Sequence, residues 1–142
     1  METGDVSRRL QIAMESARAQ AAERRARDAR TSAAYDAFLE KVAGPVAKQV
    51  VNALKVHNVA FTLFTPAGGL RLASDRNRDD FIELTLEPGA TDLQVVGHIS
   101  HARGSRTVAE TVPLKDGVGP DALTDEDVLS FLLAALRPWL ER

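Results

Sequence analysis

Cysteine is absent from the 142 residues, which excludes disulfides, thiolate zinc sites and a cysteine nucleophile. Long apolar runs are missing as well. A secretory leader needs an uninterrupted hydrophobic segment, and Met1 to Arg9 is polar and charged with none behind it. The longest apolar stretch, around Phe131 to Leu136, is far too short to span a bilayer. The expectation is a cytoplasmic protein with no membrane contact. Charge of one sign is also scarce. The net charge of −2 creates no field that would draw the whole chain to nucleic acid. Motifs of catalysis are missing too: Gly68-Gly69 lacks the Lys-Ser/Thr of a phosphate loop, and no Gly-x-Ser-x-Gly nucleophile elbow occurs. No catalytic residue, metal site or cofactor is therefore assigned, and a non-enzyme is expected before an enzyme.

What is present is the composition of an ordinary globular protein, 44% hydrophobic and 27% charged, long enough for one domain. From Asp5 to Val56, Ala, Arg, Glu, Gln and Leu dominate, all good helix formers. At about 100° per residue, Val6, Leu10, Ala13, Met14, Ala17 and Ala21 fall on one narrow stripe. Tyr35, Phe38, Leu39, Val42, Val46, Val50 and Ala53 continue it in phase, with Arg24, Asp28 and Thr31 on that face between them. This predicts one long helix with a polar middle, kinked near Gly44-Pro45 because Pro45 cannot donate to the carbonyl of Lys41. Pro45 would then be an early residue of the segment that follows.

After His57 the period becomes two. Val59, Phe61 and Leu63 alternate with small or polar residues. So, apart from Phe81 and Val96, do Leu70 and Leu72; Ile82, Leu84 and Leu86; Leu93, Val95 and Ile99; and Val108 and Val112 around Glu110. Turns at Thr65–Gly69, Ser74–Asp79, Pro88-Gly89 and Arg103–Ser105 separate these runs, which predicts an antiparallel meander of about five strands. Thr124-Asp-Glu-Asp127 resembles a capping box and opens a C-terminal helix with an apolar face of Val128, Leu129, Leu132, Leu133, Leu136 and Leu140, widened by Phe131 and Ala135. Pro138 ends or kinks it. The fold class is α+β. The predicted core comprises Phe38, Val42, Val46, Val50, Phe61, Leu63, Leu72, Ile82, Leu84, Leu86, Leu93, Val95, Ile99, Leu129, Leu132, Leu133 and Leu136. Small acidic proteins of this shape include bacterial secretion chaperones and small nucleoid-associated proteins, an analogy of shape that implies no function.

Proportion is the most informative feature. Some fifty helical residues would reach roughly 75 Å, whereas strands of six to eight residues span only about 20–27 Å. The sheet can shelter one part of such a helix, and the large side chains from Tyr35 to Ala53 mark that part. Residues 1–33 are accordingly expected to form a helical arm and residues 34–142 a single α+β domain. The arm's stripe is mostly alanine, which buries little but lets a second helix come close. Its expected partner is a second copy of the chain, giving a homo-oligomer, or another protein, in an adaptor or chaperone-like role.

Two alternatives carry named residues. Residues 1–30 hold seven arginines against five acids, and Arg24, Arg25, Arg27 and Arg30 could meet phosphates of a nucleic acid. Projected on the helix they point in nearly every direction, which favours a solvated surface with local ion pairs. The second alternative is a ligand-binding or catalytic surface on the polar sheet face, around Glu83, Gln94 and His98, where Glu83 or Glu87 could orient His98 as a base. An antiparallel sheet with one face in water explains the same residues without function. His98 and His101, three apart on a strand, face opposite sides and cannot chelate one ion without a bulge. Asp79-Asp80 and Asp125–Asp127 read as turn and cap residues.

Overall fold

A computed structural model describes residues 1–141. Contacts within the chain divide it into two units, Met1–Arg30 and the remainder from Thr31 on. Helix α1 (Thr3–Phe38) supplies the first unit and opens the second. Near its N-terminus the Asp5 carboxylate accepts from Arg8 at 2.6 Å and lies 3.5 Å from Arg9. These are the three- and four-residue spacings at which side chains on a helix meet, at the end where negative charge suits the helix dipole.

The predicted weak point takes the form of a single π turn, Leu39–Ala43, followed by α2 (Gly44–Val56) with Pro45 in its first turn. Proline has no N–H to offer and its ring crowds the preceding turn. Widening that turn is the remedy: the Gly44 N–H reaches back to the carbonyl of Leu39 instead. The extra residue moves the buried face on by one position. Tyr35 and Phe38 are buried before it, and Ala43, Ala47, Val50, Val51 and Leu54 after it. Val42 and Val46, expected in the core, are half-buried, and Ala53 is exposed. The stripe is therefore not in phase along its whole length. Helix α2 ends in a Schellman pattern, Val59 N–H to Leu54 O at 2.9 Å and Asn58 N–H to Lys55 O at 3.1 Å, with Asn58 left-handed at φ 63°.

Five strands follow as an antiparallel sheet in sequential order: β1 (Phe61–Phe64), β2 (Gly69–Ser74), β3 (Phe81–Pro88), β4 (Leu93–Arg103) and β5 (Arg106–Pro113). The architecture is the predicted α+β: a long bent N-terminal helix, a five-stranded meander and a C-terminal helix. Leu63, Leu72, Ile82 and Ile99 form one rung across the sheet, and Leu70, Leu84 and Gly97 another. This face is covered by α2 and by α3 (Asp125–Ala135). Gly97 is the point of closest approach: a Cβ there would overlap the ring of Phe131. Seating that ring turns α3 so that Val128, Phe131, Leu132, Ala135 and Leu136 are buried. Leu133, expected inside, is 49% exposed for the same reason.

Helix α3 opens with the predicted capping box. Thr124 Oγ1 accepts from the Asp127 N–H at 3.2 Å, and the Thr124 N–H donates to Asp127 Oδ2 at 2.9 Å. It stops at Ala135 ahead of Pro138, and a last turn, α4 (Arg137–Leu140), buries Trp139 edge-on to Phe61 at 5.3 Å and to His101 at 6.0 Å. Tyr35 ties the helix to the sheet by donating toward the carbonyls of Gly68 (3.0 Å) and Leu84 (3.3 Å). Burial, then the Asp36 and Glu83 carboxylates, push its phenol up to about 12, so it remains a donor. Of the paired acids read as turn residues, Asp79 closes the turn through its N–H to Asn77 Oδ1. Asp80 is buried and accepts from the Ala102 N–H at 2.7 Å.

Two outcomes test this packing. Gly97→Ala is expected to lower stability by roughly 1–3 kcal/mol, read as a shift in urea midpoint. Phe131→Leu should then cost less in that background than in the wild type; additive costs would mean the ring does not occupy the notch. The second concerns acid. The Thr124 N–H above all, with the Lys115 ammonium and the Thr124 hydroxyl, outweighs desolvation and holds the Asp127 carboxyl below its ordinary value. A depressed carboxylate adds stability that is complete above its unfolded pKa of about 3.9 and is lost as pH falls through the lower folded one. Thermal melts of Asp127→Asn should show a shallower acid dependence than wild type below about pH 4.

Candidate functional site

Two surfaces carry the residues singled out from sequence. The first is the unit Met1–Arg30, exposed throughout except for the half-buried Asp5, Ala21 and Asp28. Within it Val6 is 47% exposed, Leu10 59% and Met14 43%. With Ala13, Ala17 and the half-buried Ala21 they lie on one side of a regular helix. Ile12, also exposed, was not among the sequence-derived residues and sits about 200° around the helix from Leu10. Arg24, Arg25, Arg27 and Arg30 are exposed on the same helix and, at helical spacing, spread around it instead of forming one basic face.

The second surface is the sheet face away from α2 and α3. The register brings Glu83, Thr85, Glu87, Gln94, His98 and Thr111 to this side. Glu83 and Thr111 flank His98 directly on the neighbouring strands, while Gln94 lies opposite Glu87. The hydrogen bonds choose differently from the register. His98 Nε2 lies 2.8 Å from Glu87 Oε2 and 3.0 Å from Thr85 Oγ1, and its Nδ1 lies 2.9 Å from Thr111 Oγ1. Thr85 in turn donates to Glu87 at 3.2 Å. The carboxylate that orients His98 is thus Glu87, whose side chain reaches back along β3 over Thr85.

Thr85 and Thr111 were not singled out as partners of His98. The signal for Thr111 was available: a two-residue turn pairing Arg103 with Arg106 sets His98 opposite Thr111. Thr85 follows only from how long side chains lean along a sheet. Beside the network, Glu83 lines two shallow hollows. One of about 420 Å³ also involves Phe81, His98 and Thr111, and one of about 720 Å³ involves Phe64, Arg71, Ser74 and Arg78. Arg71 stacks 3.8 Å over the Phe81 ring.

Chemically, a neutral His98 that donates from Nε2 to Glu87 would accept at Nδ1 from the Thr111 hydroxyl, the relation of an oriented base to a hydroxyl. The side chains of His98 and Glu87 are 30% and 43% exposed, so water reaches every member. An acyl- or phosphoryl-transfer site needs exclusion of that water and preorganised donors for a developing charge. Cross-strand pairing on a hydrated sheet face accounts for the same geometry. His101 lies on the opposite face against Trp139. Among the described residues no three His, Asp or Glu side chains are placed to hold a metal ion, and no helix is long and apolar enough to cross a membrane.

No family model, curated protein or solved structure matches the chain. Function must be argued from these two surfaces.

Half-exposed networks contribute little to folding. His98→Ala is therefore expected to change stability by no more than about 1 kcal/mol in urea titration. A loss of several kcal/mol would mean that the network holds the strands together and is not free to serve a ligand.

Proposed function

We propose that the protein is a non-catalytic interaction protein, adaptor- or chaperone-like, that self-associates through the helix of residues 1–33. The observation that carries this reading is the row Val6, Leu10, Ala13 and Ala17, spaced alternately four and three residues apart, whose large members are 43–59% exposed when Met14 beside them is included. Alternating spacing of four and three keeps one seam facing a partner helix. Leucine, valine and methionine give such a seam its free energy, about 1.5–3 kcal/mol for each side chain fully buried, and the alanines let the backbones approach. Arginines and acids around the remainder keep the single helix hydrated and confine contact to the seam. A second copy is the simplest occupant, since every chain offers the same seam. The reducing cytoplasm suits such a protein, which has no cysteine and therefore no disulfide to lose there.

The polar sheet face supports a second reading, a ligand-binding or catalytic surface, favoured by one observation, the bonding of His98 to Glu87, Thr85 and Thr111. It lacks enclosure, which is why the helix ranks first.

Light scattering on the full chain tests the leading reading. Wild type should show a mass above that of one chain, and Leu10→Glu with Met14→Glu should lower it while leaving the circular dichroism of the folded unit intact. Both residues are exposed, so the substitutions should not disturb folding. A wild type at single-chain mass, or an unchanged mass in the double variant, contradicts the reading.

A further inference from the structure

Strand β5 ends the sheet, with β4 on one side and, among the described residues, no strand on the other. From Arg106 to Thr111 it is exposed, and only its end, at Val112, packs against the core. Edge strands usually carry a bulge, a proline within the strand, an inward charge or a covering helix that stops other chains from adding to them. β5 pairs with β4 through eight consecutive residue pairs without a bulge, its proline, Pro113, stands at the far end, and its charges on the core side of the sheet, Arg106 and Glu110, are of opposite sign.

Which of its backbone groups face outward follows from the register. Leu114 N–H donates to Val95 O, so the even-numbered residues Arg106, Val108, Glu110 and Val112 direct their backbone groups at β4. Thr107, Ala109 and Thr111 therefore present theirs to the open edge, because antiparallel pairs alternate in this way. A second β5 can join only where odd residues meet odd residues. Antiparallel pairing centred on Val108 does this: Thr107 meets Ala109, and the two exchange backbone hydrogen bonds. The same register sets Val108, 39% exposed, against its own copy and sets Arg106 opposite Glu110 on both sides of it. Centring on Ala109 would put Val108 opposite Glu110, and centring on Glu110 would put two carboxylates face to face.

We propose that β5 is a self-recognition edge, which pairs antiparallel with β5 of a second copy about Val108 and continues the sheet from one molecule into the next. The match of charge is what identifies a second copy as the occupant: Arg106 and Glu110 stand two positions to either side of Val108, so a two-fold axis through Val108 turns each onto the other's partner site. This surface is independent of the helix of residues 1–33.

The chain has no cysteine, so Val108→Cys introduces a single reporter. Directly opposed residues at a non-hydrogen-bonded position have Cα atoms about 4.5 Å apart, within the span of a disulfide. The experiment uses the full chain carrying Leu10→Glu and Met14→Glu, so that the outcome does not depend on the helix. Mild oxidation should trap a V108C dimer, since disulfide formation accumulates even a weak pair. R106C and E110C, whose copies would be displaced by four residues, about 13 Å, should not be trapped. In the V108C background, R106E alone and E110R alone should each cut trapping roughly tenfold or more by setting like charges opposite each other. A mixture of the two should restore it as a heterodimer, identified by mass. Trapping at V108C no better than at R106C or E110C, or a mixture that shows no preference for the heterodimer, would overturn the proposal.

Discussion

The missing N–H of Pro45 sets how the second unit is built. A regular helix through that residue would leave the Lys41 carbonyl without its bond and press the ring into the preceding turn. The π turn Leu39–Ala43 places one extra residue ahead of Pro45, with the Gly44 N–H bonded to the Leu39 carbonyl, and in doing so it re-aims α2. Small residues, Ala43 and Ala47, then face the interior beside Val50, Val51 and Leu54, which lets α2 lie close against β1, β2 and α3. Phe131 completes the cover by entering the space that Gly97 leaves on β4. Tyr35, just before the π turn, fixes the helix to the sheet through the Gly68 and Leu84 carbonyls. The way α2 covers the sheet depends on that one local change of helical period, and the notch and the tether hold that cover in place.

Two helices can cover only one face of a five-stranded meander, and this limit explains where interaction surfaces arise. The face bearing Glu83, Glu87 and His98 stays hydrated, with its polar groups bonded to each other across strands. The last strand keeps an open edge. The first unit is a helix whose larger apolar side chains meet solvent. A sheet face rich in hydroxyls and carboxylates is content in water. Leu10, Met14 and Val6 are not, and the proposed self-association follows from that difference.

Much of this was legible from residue order. Strands and turns followed from period-two alternation broken by glycine and proline, and the capping box from Thr124 and Asp127, because each signal is local and has one physical cause. The π turn was legible only as a weak point. Sequence shows that Pro45 must break the ladder, but whether the chain kinks, breaks or widens depends on what the next turn packs against. The error in phase at Val42, Val46 and Ala53 followed directly. The helical projection placed Leu133 in the core and Phe131 only at the widened edge of the apolar face; the glycine opposite Phe131, on a strand distant in sequence, reversed that order. Trp139 was missed because its burial depends on the turn made after Leu136, against Phe61 and His101. On the sheet face, polar residues were placed on the correct side by register, while the choice of Glu87 over Glu83 as the partner of His98 arises from the lean of side chains, which register does not determine.

On the proposed reading, the seam from Val6 to Ala21 is covered by a second chain in solution. Amide hydrogen exchange of the full protein over a range of concentrations measures this most directly, because an isolated, solvated helix frays and exchanges at a rate that does not depend on concentration. Protection of residues 6–21 that rises with protein concentration is the predicted result. Exchange in that segment that stays rapid and independent of concentration would show the seam to be open to water and the helix unpartnered.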